Sequence, residues 1–283
     1  LKIAGLLHDC GKITTPVHVV DKATKLETIF DRIEFVAQRF EILKRDAELE
    51  MLRTKLASKG TRDDIATKRA EVDYQNRVSQ FEDDRIFLRS TNVGVERMSA
   101  EDQARVNKIA SYQLRNEFGE DVPFLSADEQ ANLNIPYGTL TPSERQTINH
   151  HIDATIKMLE ALPWPRHLER VPEYAGGHHE RMDGKGYPRG LCREQMSVQA
   201  RVMGIADIFE ALTAKDRPYK LGKTLSESLH ILGKLKLNGH IDPDLFDVFV
   251  REKVYLKYAE QFLDSAQVDV VNENTIPGYQ TGP

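Results

Sequence analysis

The sequence predicts an all-α chain, and three features carry that expectation. Apolar residues recur every three or four positions over long stretches, the pattern that lines one face of a helix. Two helix starts are spelled out as capping signals, Ser99-Ala100-Glu101-Asp102 and Thr141-Pro142-Ser143-Glu144. The run Val198–Thr213, with Val202, Ile205, Ala206, Phe209 and Leu212, is apolar enough to be a core helix.

Taken in order, Leu1–Leu7 reads as the end of a buried helix that delivers His8 and Asp9. The chain opens inside that helix without a Met, so a fragment of a longer protein is expected, with any membrane or sensory domain lying upstream. Ile13–Leu26, with Pro16 and Lys22, reads as a loop returning over the site. Glu27–Ser58 is a long amphipathic helix on Ile29, Ile33, Val36, Phe40, Leu43 and Ala47. Gly60-Thr61 breaks it, and a second helix runs from about Asp63 to Ser90 on a weaker stripe of Ile65, Val72 and Phe81.

These two helices form a hairpin of coiled-coil type inside a stretch, 27–138, that has no cluster of metal-ligand residue types. The first stripe is better formed than the second. It is therefore expected to stay open to a second copy of the chain, as a homodimer, or to a signalling-protein partner.

The helix after Ser99 carries Val106, Ile109, Ala110 and Leu114, and 121–138 reads as a loop with a short helix at 126–133. From Thr141 a helix turns Ile148, Ile152, Thr155, Ile156 and Leu159 inward, with His150 and His151 at its middle. A short helix from Val171 closes at His178-His179-Glu180, and Leu225–Leu237 and Pro243–Tyr258 complete a helical C-terminal half. Residues 263–283, polar with Pro and Gly, read as a disordered tail or linker.

With 283 residues, 40% hydrophobic and 29% charged, the chain forms one large or two modest domains around a substantial core. A net charge of −5 argues against a polymeric nucleic-acid partner held by bulk charge, and leaves room for a local basic pocket. Two cysteines without CxxC spacing suggest neither a disulfide framework nor a zinc ribbon, and a cytoplasmic location fits. No apolar run approaches the roughly 20 residues that span a bilayer.

The chemistry concentrates in a few places. His178-His179-Glu180 leads into a loop turned by Asp183-Gly184, Gly186 and Pro188. Far upstream, Leu7-His8-Asp9-Cys10-Gly11-Lys12 offers an imidazole, a carboxylate and an ammonium. A carboxylate beside His8 on an apolar helix needs a partner, either a hydrogen-bonded core group or a metal. Asp207, on the apolar helix 198–213, raises the same need. Arg217-Pro218-Tyr219-Lys220 is a basic pair suited to phosphate, or to a surface salt bridge. Imidazoles and carboxylates without thiolates suit Fe or Mn rather than structural zinc.

His8-Asp9 and Gly186-Tyr187-Pro188 together resemble the HD-GYP family of cyclic di-GMP phosphodiesterases. The resemblance implies an HD-domain helical bundle with a GYP extension, at 1–26 and 139–262, interrupted by the helical insertion 27–138. It singles out His151, not His150, on the helix that begins Leu140-Thr141-Pro142, and places Thr155 where the family usually has Gly. It further implies that His8, Asp9, His151, His178, His179 and Asp207 hold two or three divalent ions, Fe or Mn, with Asp9 and Lys12 catalytic. More ligands, a histidine and in trinuclear members a glutamate, would precede Leu1.

Substrate-binding residues, on the same footing, are Lys12, Asp183, Gly186, Tyr187, Pro188, Arg217 and Lys220. The activity implied is hydrolysis of cyclic di-GMP to linear pGpG, with further cleavage to GMP left open, by metal-activated hydroxide attack on phosphorus. Two alternatives stand beside it: another cyclic dinucleotide such as 3',3'-cyclic GMP-AMP, and a non-catalytic signalling module with a relict metal site.

Overall fold

The computed structural model of the chain describes residues 1–58, 64–94, 97–214 and 222–280. In chain order the helices are α1 (Lys2–Leu7), α2 (Val17–Val20), α3 (Ile33–Ala57), α4 (Asp64–Asn92) and α5 (Ala100–Ala110). A two-stranded sheet, β1 (Gln113–Arg115) and β2 (Asp121–Pro123), precedes α6 (Ala127–Leu133), α7 (Pro142–Asn149), α8 (His151–Glu160) and α9 (Val171–Gly176). Then come α10 (Val198–Thr213), α11 (Leu225–Leu237), α12 (Pro243–Arg251) and α13 (Val254–Phe262). The fold is all-α apart from that small hairpin.

The chain divides into two compact units, Leu1–Pro16 with Gln146–Pro283, and Val17–Arg145. In the first, Ala4, Leu159, Val171, Ala175 and Met203 bring α1, α8, α9 and α10 together. A larger cluster joins α10 to α11, α12 and α13 through Phe209, Leu229, Phe246 and Tyr255. Gly11 lies against α8 so closely that a Cβ would run into the His151 carbonyl oxygen, and its N–H donates to Thr155 Oγ1 at 2.9 Å. Thr155 is thus a buried hydrogen-bond partner at the position where the resemblance implied Gly.

Several expectations about this unit need correction. α1 buries only Ala4, and Leu6 is 76% exposed, so the apolar opening run is not a core helix. The helix expected from Thr141 through Leu159 is two helices, α7 and α8, handed over at His150. The segment read as 243–258 breaks at Lys253, whose φ is +51°, giving α12 and α13.

The described part of the stretch read as a disordered tail or linker, residues 263–280, packs instead. Ile276 joins the core, and the buried Gln267 amide donates to the Thr213 carbonyl at 2.8 Å and to that of Lys223 at 3.1 Å. One apolar plug and one well-placed amide anchor a segment that composition alone marks as linker.

In the second unit α3 and α4 run antiparallel, stitched by Glu34–Arg89 and Lys44–Glu82 and, towards the far end, by Glu50–Arg77 and Lys55–Glu71. The expected stripe of Ile33, Val36, Phe40, Leu43 and Ala47 is closed by the unit's own Phe81, Leu88, Val106, Ile109, Phe124 and Leu133, so it is not open to a partner. Ile29, expected on that stripe, precedes the helix and is 92% exposed, and Ile65 and Val72 face outward.

Leu114 lies on β1 rather than on a helix. The capping signals hold: Ser99–Asp102, and a further box at Ser126–Glu129, are reciprocal. Thr141 and Glu144 likewise bond each other's backbone N–H. Lys22 and Lys25, read as part of a returning loop, are buried; Lys25 donates to the Leu133 and Ile135 carbonyls at 3.0 and 2.9 Å. The Gly60-Thr61 break lies outside the described residues.

Candidate metal centre

Three histidines of the first unit are held by one local device. Nδ1 of His8 bonds the Gly5 carbonyl at 2.7 Å, Nδ1 of His178 the Ala175 carbonyl at 2.6 Å, and Nδ1 of His151 the Ile148 carbonyl. Each ring nitrogen facing a carbonyl carries the proton, so each Nε2 presents its lone pair. In every case the carbonyl lies three residues earlier, at a helix end or junction where it is open to a side chain. His179 is fixed differently: its ring lies 4.2 Å from that of His178 and stacks on Tyr187 at 4.8 Å and 21°.

The presented atoms converge. Asp9 Oδ1 stands 3.1 Å from His151 Nε2 and 3.9 Å from His178 Nε2, and none of these three buried atoms has a hydrogen-bond partner. His8 Nε2 lies 3.4 Å from Asp207 Oδ1 and 3.4 Å from Asp9 Oδ2. Among the described residues His151, His178 and His179 form one group whose ligand atoms lie within 4.8 Å of one another, and His8, His178 and Asp207 form a second.

Orphaned buried acceptors are costly. Their convergence on one point, with Asp9 and His178 between the two groups, fits divalent cations. The residues assembled come from the turn after α1, α8, the turn after α9, and α10.

Electrostatics support the same use. Burial pushes His178 below its ordinary pKa, and burial with the neighbouring His178 pushes His179 down, which keeps both rings neutral as metal ligands must be. Burial would raise Asp9, but the His151 contact and the Lys12 ammonium outweigh it and hold the carboxylate ionised. For Asp207 burial is likewise outweighed, by His8 beside it and the other flanking imidazoles. The Asp207 carboxylate in turn raises His8.

A cleft of about 1140 Å³ opens beside the cluster, lined by His8, Asp9, His179 and Asp207 and also by Lys12, Gly186 and Tyr187. Lys12 Nζ sits 2.5 Å from Asp9 Oδ2. Asp183 is used within its own loop, taking the Arg181 guanidinium at 3.0 and 2.8 Å. The Tyr187–Pro188 peptide is cis. Arg217 and Lys220 lie outside the described residues.

Sequence reasoning missed Arg181, Lys185 and His240 as cleft residues. Lys185 was visible in Gly184-Lys185-Gly186. His240, whose pKa burial lowers, reaches the cleft only because Met182 and Asp183 bond the carbonyls of His240 and Gly239.

A family model described as an HD domain matches residues 125–245. A cyclic di-GMP phosphodiesterase of Pseudomonas aeruginosa is 37% identical over 142 residues, 50% of this chain and 33% of that protein. A 3'3'-cGAMP-specific phosphodiesterase of Vibrio cholerae is 46% identical over 81 residues, 29% of this chain and 19% of that protein. A cyclic di-GMP phosphodiesterase of Thermotoga maritima is 33% identical over 126 residues, 41% of this chain and 34% of that protein. The chain thus spans about a third or less of the length of these curated relatives.

Proposed function

We propose that the chain, whose residues 125–245 match an HD domain and which is similar to cyclic di-GMP phosphodiesterases, is an HD-GYP protein: a metal-dependent phosphodiesterase hydrolysing cyclic di-GMP to linear pGpG, with further cleavage to GMP left open. The observation that carries this reading is the convergence of Asp9 Oδ1, His151 Nε2 and His178 Nε2, all buried and without hydrogen-bond partners. His8, His179 and Asp207 join them as candidate ligands. The mixed N/O character of this set suits two ions such as Fe or Mn. Divalent ions, when bound, supply the electrophilic catalysis and water activation that phosphodiester hydrolysis requires.

The chain's own residues do the rest. Asp9, kept ionised, joins the two ligand groups. Lys12 places a cation at the cleft wall, suited to a phosphate oxygen or to the leaving oxygen. Gly186 and Tyr187 line the wall opposite a nucleotide, and Arg217 and Lys220 are candidate contacts for the second phosphate. A cytoplasmic setting follows from such a substrate.

The test is metal content beside turnover of a panel of cyclic dinucleotides. Asp9→Ala is expected to lose bound metal and to lower turnover by at least about 100-fold. Normal turnover in that variant would rule the reading out. A second substrate, 3',3'-cyclic GMP-AMP, is favoured by the 46% identity to the Vibrio cholerae enzyme, and the same panel decides between them.

For the second unit we infer an association role, on a different face from the one first expected. The outer side of α3 exposes Phe35, Ile42, Leu49 and Leu56 at seven-residue intervals, the spacing of a coiled-coil seam. Ile42→Glu with Leu49→Glu is expected to shift sedimentation to a smaller species. An unchanged profile would remove this role.

A further inference from the structure

Glu180 is 4% exposed, and among the described residues no cation pairs with its carboxylate. Oε1 accepts the backbone N–H of Arg189 and Oε2 that of Leu191, both at 2.8 Å. A buried charge in this position is expensive unless its bonds do something for the fold. Here they tie the far end of the loop 181–191 back to its start, the residue that follows the paired histidines.

The inside of the loop is equally tight. Gly186 packs on the backbone of Glu180 and Arg181, where a Cβ would find no room, and Tyr187 N–H donates to the His179 carbonyl at 3.3 Å. The result is that Tyr187 stacks on His179 and forms cleft wall.

We propose that Glu180 is a positioning residue that clamps this loop through two main-chain N–H groups, holding Tyr187 on His179 and so setting the shape of the substrate side of the cleft. It touches neither substrate nor metal in this role. The two oxygens are not interchangeable with an amide. Glutamine has the same size, but it offers one acceptor and turns an NH2 towards the other N–H. Glu180→Gln therefore breaks half of the clamp without opening a cavity, and Glu180→Ala breaks all of it.

Only the kinetic part of this inference rests on the hydrolase reading; the clamp itself is tested without substrate. The experiment uses the Mn2+-loaded chain and its Glu180→Gln and Glu180→Ala variants. Metal content, hydrogen exchange of a peptide spanning 186–193, and the kinetics of cyclic di-GMP turnover are measured. Glu180→Gln is expected to keep its metal, to speed exchange at Arg189 and Leu191 by about tenfold or more, and to raise KM by about tenfold with a smaller fall in kcat. Glu180→Ala exceeds it in both.

Unchanged exchange in both variants would overturn the proposal, as would loss of metal in Glu180→Gln, which would place Glu180 in the metal centre itself. Faster exchange in a protein extended upstream of Leu1, to carry the further ligands the resemblance implies, that turns over no cyclic dinucleotide even as wild type would sustain the clamp and refute the hydrolase reading.

Discussion

His8, His151 and His178 share a bond from Nδ1 to the carbonyl three residues back, and this sets which ring can serve a metal. His150, the neighbour of His151, points outward and pairs with Asp153 at 3.1 Å. Adjacent positions on a helical path are about 100° apart, so only one of the two can face the cluster. His151→Ala is expected to lose metal measured by elemental analysis, whereas His150→Ala keeps it. Equal loss from both would mean that the ring assignment is wrong. The residue types were plain in the sequence, but choosing between the two histidines there needed the family resemblance. In the structure burial decides.

At the scale of elements, the contact of the turn Cys10–Thr14 with α8 is the joint on which the site depends. Gly11 N–H has its acceptor in Thr155 Oγ1, inside a contact with no space for a larger residue. Thr155→Val keeps the volume and strands the Gly11 donor. It is expected to destabilise the chain by about 1–3 kcal/mol in urea unfolding. Gly11→Ala, which must push the turn away from the His151 carbonyl, is expected to lower metal affinity as well, read by competition with a chelator.

A second joint is Asp242, fully buried, which caps α12 through the Asp244 and Leu245 N–H groups at 3.0 Å each and takes Arg193 and Arg201 on its other oxygen. Asp242→Ala removes a cap and leaves two guanidinium groups without their shared partner, so a loss of about 2–4 kcal/mol is expected.

Over the whole molecule, the six candidate ligands all belong to the first unit. Replacing 31–136 with a short Gly/Ser linker is therefore expected to leave metal per chain unchanged, and a drop would assign part of the site to the second unit. The second unit has its own signature in Lys25. Burial pushes its pKa down to about 8, from an ordinary value of 10.5. Between those values the unfolded chain holds a proton that the folded chain has released, so raising the pH favours the folded state. From pH 7.5 to 9.5 the urea midpoint of the wild type is expected to rise relative to that of Lys25→Met. A difference independent of pH would show that Lys25 stays charged in the fold.

What the sequence by itself determined was local: the spans of α10 and α11, the capped starts at Ser99 and Thr141, the helical hairpin, and the HD and GYP motifs. Caps, breaks and periodicity act within a few residues, so they can be read along the chain. Only the tertiary structure decided which apolar residues are covered. Leu6 and Ile29 are exposed, whereas Lys25, Glu180 and Gln267, which composition places outside, are buried against carbonyls and N–H groups supplied by residues 9 to 110 positions away. A polar group's burial depends on partners that converge only after folding, and no periodicity in the sequence records them.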